Sequence, residues 1–286
     1  MRGKRLPDWF KVPLGSGEHY REVRRTLAAQ GLHTVCSEAH CPNLGECWSC
    51  GTATFMILGD RCSRNCRFCA VQSGNPEPPD PTEPRRVRVA VETLGLHYVV
   101  VTSVTRDDLP DGGASMFAAV IREIKSIGSG IRVEVLIPDF AGDQAALDCV
   151  LDASPEVLNH NIETVPGLYS RVRPEANYHQ SLAVLRSASN RLGEHRTKSG
   201  LMVGMGETWD ELMSVFTDLR AAGVGRLTIG QYLQPSAHHV PVVRYLEPVE
   251  FESLGEEARR MGFTHVASGP LVRSSYHAAE MSSESE

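Results

Sequence analysis

From residue 52 onward the chain alternates short β-rich runs with helix-length segments, and this alternation restricts the fold more than any other feature. Thr54–Leu58, His97–Val104, Ile131–Ile137, Val157–Ile162, Gly200–Val203 and Arg226–Leu233 read as strands. Helical patterns lie near 86–95, 114–127, 142–152, 178–192, 208–222 and 248–261. Strands joined through helices run parallel, because only a crossover connection returns the chain to the same end of the sheet. Six such units, without a seventh and eighth, predict an α/β protein built as an open, partial (β/α)6 barrel of TIM type. Residues 1–50 show one helical stretch near 18–30 and read as an N-terminal extension. The barrel is expected over 51–265 and a C-terminal tail over 266–286, with the polar segment after Ala279 disordered. Five prolines between Pro76 and Pro84 mark a stiff loop rather than a linker between domains.

In a parallel βα barrel, functional groups gather at the C-terminal ends of the strands. The polar residues fall in those places. Cys62 to Cys69 follow the first strand and Thr102 to Gly113 the second; Asn159, Asn161 and Glu163 end the fourth. Gly204–Thr208 follows the fifth, and Gln231 and Gln234 end the sixth. One mouth therefore collects thiols, amides, a carboxylate and tight turns.

Six of the eight cysteines form two triplets fifteen residues apart, C-x4-C-x5-C at Cys36, Cys41 and Cys47 and C-x3-C-x2-C at Cys62, Cys66 and Cys69. Disulfides are disfavoured, since the opening Met-Arg-Gly-Lys-Arg leads into no apolar signal-peptide core. A zinc site would need four ligands, and a crossed pair of C-x2-C spacings, Cys47/Cys50 and Cys66/Cys69, is the specific alternative. Closely spaced thiolates suit iron–sulfur clusters better. Three thiolates leave one iron of a cubane open to a small molecule. Two such sites suggest that one cluster does redox chemistry and the other something else.

The net charge of −6 argues against general nucleic-acid binding, and no run approaches the ~20 apolar residues of a membrane span. A cytoplasmic protein is expected. Basic residues gather at Arg2, Lys4, Arg5 and Lys11 and at Arg21, Arg24 and Arg25, where they form either a solvated face or a docking patch. Gly204-Met-Gly206 lacks the third glycine of a dinucleotide fingerprint and reads as a turn at the mouth. His238-His239 lacks a nearby carboxylate or cysteine to complete a metal site.

The Cys62-Ser-Arg-Asn-Cys66-Arg-Phe-Cys69 loop after a first barrel strand resembles that of the radical S-adenosylmethionine (SAM) superfamily, with Phe68 in the aromatic position. The resemblance implies a [4Fe-4S] cluster on Cys62, Cys66 and Cys69 whose open iron chelates SAM. Asp111-Gly112-Gly113 stands in the place of that superfamily's Gly-Gly-Glu turn, and Asn161 and Glu163 are expected at the ribose or amino-acid part of SAM. Further segments resemble the lipoyl synthase family: Cys36-Ser-Glu-Ala-His-Cys41-Pro-Asn-Leu-Gly-Glu-Cys47, Gly51–Gly59, Thr102–Asp108, Asn159–Thr164, Arg171-Val-Arg-Pro174, Gln231–Ser236 and Arg273-Ser-Ser-Tyr276. That resemblance implies a second, auxiliary [4Fe-4S] cluster on Cys36, Cys41, Cys47 and Ser275, with Cys50 a bystander.

It also implies the insertion of two sulfurs, at C6 and C8, into an octanoyl chain on a lipoyl carrier domain. The carrier would be a 2-oxoacid dehydrogenase E2 component or the glycine cleavage H protein. Two SAM molecules are consumed and the auxiliary cluster is sacrificed as the sulfur source. Expected partners are a low-potential donor such as flavodoxin or ferredoxin and an iron–sulfur carrier protein. Both clusters should face one cavity, with the extension and the tail folded over the mouth. A sulfur-inserting enzyme resembling biotin synthase is the enzymatic alternative, and an electron-carrying iron–sulfur protein the non-enzymatic one.

Overall fold

The computed structural model describes residues 6–12, 15–50, 53–276 and 278–279; Arg2, Lys4, Arg5 and the segment from 280 lie outside them. One sheet organises the chain. Its strands are β1 (His33–Thr34), β2 (Thr54–Ile57), β3 (Tyr98–Ser103), β4 (Arg132–Leu136), β5 (Val157–Asn159), β6 (Thr197–Val203), β7 (Arg226–Gln231) and β8 (His265–Gly269). They lie side by side in chain order. β2 to β8 run parallel, and β1 pairs antiparallel with β2 at the edge. The helices after β2 to β7 are α4 (Glu83–Thr93), α5 (Ala114–Lys125), α6 (Gln144–Asp152), α7 (Tyr178–Leu192), α8 (Trp209–Ala221) and α9 (Pro248–Arg260). Before β2 come α1 (Glu18–Gln30), α2 (Val35–Glu38) and α3 (Leu44–Ser49). The six predicted βα units are all present, in a partial barrel.

Two elements differ from the sequence reading. A seventh parallel strand, β8, pairs with β7 from His265↔Arg226 to Gly269↔Gly230. Its residues, His-Val-Ala-Ser-Gly, carry one large apolar side chain, so nothing in the pattern marks a strand. β6 begins at Thr197 rather than Gly200, because its polar start is buried. Lys198 Nζ reaches Glu134 Oε1 at 2.8 Å, and Tyr98 donates its hydroxyl to Glu134 Oε2 at 2.6 Å. Lys198 is 1% exposed, so the pair is stable only because each charge neutralises the other away from water.

Strand residues alternate between the barrel interior and the helix layer. Val99, Val101, Val133 and Val135 pack outward against Phe117 and Ile121 of α5 and their neighbours. Leu227 and Ile229 do the same with Phe216 of α8 and Phe251 of α9. Truncating a side chain such as Phe117 to Ala would cost about 3–5 kcal/mol. α8 starts on a reciprocal cap in which Thr208 Oγ1 accepts from Glu211 N–H and Glu211 accepts from Thr208 N–H.

The tail returns across the barrel to the extension. A Cβ on Gly230 would stand 2.1 Å from Val272 O, so the tail backbone lies directly on β7 and only glycine leaves room for it. Asn43 Nδ2 donates to Leu271 O at 2.7 Å, Tyr276 donates its hydroxyl to Glu46 Oε1 at 3.1 Å, and Thr54 Oγ1 donates to Ser275 Oγ at 2.8 Å. Extension and tail are thus joined by their own hydrogen bonds at the barrel mouth.

Candidate active site

A cavity of about 990 Å³ occupies the mouth and interior of the barrel, within the range of small-molecule sites. Cys36, Cys41, Cys47, Cys62, Cys66 and Cys69 all line it, as do Ser274, Ser275, Asn161 and Glu163.

The loop holding Cys62, Cys66 and Cys69 leaves β2 and is closed at its base by pairing of Arg61–Cys62 with Gln72–Ser73. Its fixed point is Arg64, whose guanidinium spans two aspartates. It gives Asp107 bonds of 2.6 and 2.9 Å and Asp139 bonds of 2.9 and 2.7 Å. Burial opposes the Arg64 charge, but hydrogen bonds to Asp139 and Asp107 outweigh it and raise the pKa. Both ring nitrogens of His239 are engaged, Nδ1 at 2.8 Å from Ser236 Oγ and Nε2 at 2.9 Å from Cys69 O, which steadies the same loop. Phe68 lines the cavity and packs on Val172, Met205, Tyr232 and Val240.

The upstream triplet is set by two short helices. Thr34 caps α2, accepting from Ser37 N–H, and places Cys36 in its first turn. His40, at φ 50°, reverses the chain so that Cys41 N–H donates to Cys36 O at 3.0 Å. Cys47 follows in α3. Burial pushes Cys36 up to about 11 and Cys47 up to about 12, with neighbouring thiols adding to both. Burial does the same to Cys66, to about 11, and to Cys69, to about 12. These thiols hold their protons at neutral pH, so loading a metal group must displace them. Cys50, exposed, lines the same cavity.

Among the described residues no three His, Cys, Asp or Glu side chains converge on a point where one metal ion could sit. A cluster spreads its ligands over several irons, and two sets of three thiols with a hydroxyl beside one of them fit that chemistry.

Asn161 and Glu163 leave the end of β5 facing the cavity. Asn161 Nδ2 donates to Glu163 Oε1 at 3.0 Å, and Glu163 at φ 66° is bridged to Leu201. Burial raises the Glu163 pKa, while Arg173 and Asn161 pull it back. Arg173 gives Nη1–H to Asn161 O at 3.0 Å, and its Nε is buried without a partner; so is Ser103 Oγ at the end of β3. Both residues line the cavity. Orphaned polar groups facing a cavity are what a polar ligand satisfies.

Asp111, Gly112 and Gly113, expected at the cofactor, are not among the residues that line this cavity. At the start of α5, whose cap position is Gly113, Asp111 accepts from Gly113 N–H at 2.9 Å and Ser115 N–H at 2.8 Å. The cavity wall after β3 is formed instead by Ser103, Val104 and Thr105. The Gly204-Met-Gly206 turn offers no phosphate cradle, because Glu207 accepts from the amides of Gly204 and Met205. Gln231 is a buried strut, bonded to the carbonyls of Val203, Tyr232 and Arg244 and to Leu246 N–H. Arg21, Arg24 and Arg25 lie exposed on α1. Thr54, Ser103 and Ser274 were not distinguishable as site residues by type or spacing; Arg64 sat inside the cysteine loop, where a charged residue could have drawn attention.

Comparison with known proteins gives a consistent picture. The family model for the radical SAM superfamily matches residues 56–219, and that for the N-terminal domain of lipoyl synthase matches residues 1–41. The lipoyl synthase of Symbiobacterium thermophilum is 56% identical over 280 residues, covering 98% of this chain and 88% of that one. That of Methylococcus capsulatus is 55% identical over 275 residues, covering 96% and 85%. Among solved structures, Streptococcus suis SuiB bound to S-adenosylmethionine matches with a TM-score of 0.59 at 9% identity, over 85% of this chain and 53% of that one. HydG, a maturase of the [FeFe]-hydrogenase, matches at 0.53 and 17% identity, over 79% and 58%. These two likenesses bear on the fold alone.

Proposed function

The chain belongs to the lipoyl synthase family of radical SAM enzymes, and from that premise we propose that it inserts two sulfur atoms, at C6 and C8, into an octanoyl chain borne on a lysine of a carrier domain. Cys62, Cys66 and Cys69 would hold one [4Fe-4S] cluster, and Cys36, Cys41, Cys47 and Ser275 the other. When bound, these groups and two molecules of SAM supply the electrons, the hydrogen-abstracting radicals and the sulfur. The observation that carries the reading is that both thiol triplets and Ser275 line a single cavity. A sulfur source must lie within reach of the carbon from which hydrogen is taken, and two separate pockets would not permit that.

The chain's own residues divide the remaining work. Arg64, held by Asp107 and Asp139, fixes the loop that presents the SAM-binding thiols. Ser103, Arg173, Asn161 and Glu163 offer the polar groups that would orient SAM, with Ser103 Oγ and Arg173 Nε buried without a partner. Phe68 and the Val172, Met205, Tyr232 and Val240 cluster behind it provide an apolar wall. Met56, Val100 and Leu136 also line the cavity and would accept the aliphatic chain. The tail closes the mouth and contributes Ser275. The carrier would be a lipoyl domain of a 2-oxoacid dehydrogenase or of the glycine cleavage system, with flavodoxin or ferredoxin as reductant and an iron–sulfur carrier restoring the auxiliary cluster.

The test is anaerobic. The protein is reconstituted with iron and sulfide, given SAM, dithionite and an octanoyl-lysine peptide, and the peptide is read by mass spectrometry. A singly thiolated species followed by a lipoyl product, lost in Cys41→Ala, is expected. SAM cleavage with an unmodified peptide would leave a radical SAM enzyme acting on another substrate, as the biotin synthase-like alternative requires.

A further inference from the structure

The Asn161 side chain is shared between two sites. Its Nδ2 donates to Glu163 Oε1 at 3.0 Å and to Ser274 Oγ at 2.7 Å, and the Ser274 hydroxyl reaches Asn161 Oδ1 at 3.1 Å. Ser274 precedes Ser275, which Thr54 holds at 2.8 Å, and Thr54 also hydrogen-bonds the Cys36 thiol. An unbroken chain of contacts thus runs from Glu163 through Asn161, Ser274 and the tail backbone to the auxiliary thiols. β6 is shaped around it. A Cβ on Gly200 would stand 2.8 Å from Asn161 Oδ1, 2.5 Å from Thr228 Oγ1 and 3.3 Å from Ser274 Oγ.

We propose that Ser274 is a positioning residue that makes SAM binding at Asn161 and Glu163 depend on an intact auxiliary ligand set. The inference rests on the functional reading above. The Glu163 carboxylate, an acceptor only, sets which way the Asn161 amide faces, and the Ser274 hydroxyl, within reach of both Nδ2 and Oδ1, holds the amide in place. Ser274 does so while the tail lies over β7. The tail is already held by the Asn43, Tyr276 and Thr54 hydrogen bonds; a ligand bond at Ser275 would tighten that hold, and its loss would return part of the cost of ordering Asn161 to the binding step. The dependence is reciprocal, so bound SAM holds the tail in its ligating position.

The experiment is equilibrium dialysis of labelled SAM against the reconstituted protein, with iron and sulfide assayed on each sample. Cys41→Ala, which lacks the auxiliary cluster, is expected to bind SAM about fivefold more weakly than the parent. Ser274→Ala is expected to show the same loss with its auxiliary iron retained, and Cys41→Ala should then weaken it no further. Gly200→Ala, which wedges the contact from β6 without changing either partner, should match Ser274→Ala. Parental affinity in Ser274→Ala or Gly200→Ala would overturn the proposal, as would losses that multiply in the double variant. If the parent itself failed to bind SAM, the functional reading would fall instead.

Discussion

Thr54 Oγ1 donates a 2.8 Å hydrogen bond to Ser275 Oγ across 221 residues of sequence. The contact joins the first parallel strand to the tail that passes over the seventh strand's neighbour, and it aims the Ser275 oxygen into the cavity. Thr54 is buried and bonded to Cys36 as well, so one hydroxyl orients two members of the proposed auxiliary ligand set.

Thr54→Val keeps the shape of the side chain and removes that hydroxyl. Auxiliary iron, measured in a background where Cys62, Cys66 and Cys69 are Ala, should fall by at least half on reconstitution. Thermal unfolding should change by only about 1–2 kcal/mol. Thr54→Ser should retain the iron. Full auxiliary iron in Thr54→Val would show that the contact does not set the site.

Arg64→Met should be far more costly to the fold. Asp139 is 1% exposed and would lose its countercharge, a situation typically worth about 3–5 kcal/mol. Urea unfolding of the metal-free protein measures it. Asp139→Asn added to Arg64→Met should recover part of the loss, because it removes the stranded charge; a purely additive pair would refute the ion-pair account.

His160 makes stability sensitive to mild acid. Its ring is bonded to Ile137 O and Ser181 Oγ, both at 2.9 Å, and burial, with Arg173 repulsion behind it, lowers its pKa from 6.5 to about 4. As pH falls through 6.5 the unfolded chain takes up a proton that the folded chain refuses until about pH 4. The His160 contribution is therefore intact above 6.5 and is lost between 6.5 and 4, at about 1.4 kcal/mol per pH unit. Denaturant titrations at pH 7 and pH 5 should show His160→Gln losing about 2 kcal/mol less than the parent over that interval. Equal losses would place the acid sensitivity elsewhere.

Gly230→Ala should lift the tail and spare the barrel. The new methyl would meet Val272 O at 2.1 Å, a distance only backbone displacement can relieve. Hydrogen exchange is expected to rise over residues 270–276 while α5 and β3 keep their protection. Unchanged exchange in the tail would mean that β7 yields instead.

How much of this was legible in the sequence depended on whether the signal was local. Val99, Val101, Val133 and Val135 announce their strands because alternation is a property of neighbouring residues. Thr197-Lys-Ser did not, since Lys198 is buried only by virtue of Glu134, a partner on another strand. β8 was missed because its pairing is supplied by the edge of β7. The thiol triplets could be read from residue type and spacing, whereas Ser275 came from family resemblance alone. Asp111-Gly112-Gly113 reads alike as a helix start and as a ligand-binding turn, because the two share one composition. Thr54, Arg64 and Ser274 take their roles from partners 43 to 221 residues away, which no local pattern encodes.

The hydrogen bonds from Asn43 to Leu271 and from Tyr276 to Glu46 span 228 and 230 residues, and this separation sets an order of assembly. On the ribosome, Cys36, Cys41 and Cys47 emerge before the barrel strands β2 to β8 and Ser275 after them. The loop from Cys62 to Cys69 acquires its Arg64 anchor as soon as Asp107 and Asp139 have been made. The proposed auxiliary set would wait for the last parallel strand and for these long-range contacts to close. Its three thiols would stand without Ser275 until the barrel has been made. Under the proposed function, an iron–sulfur donor meeting the nascent chain would find the Cys62–Cys69 loop ready first, and the set that includes Ser275 would become available only once synthesis has passed the barrel.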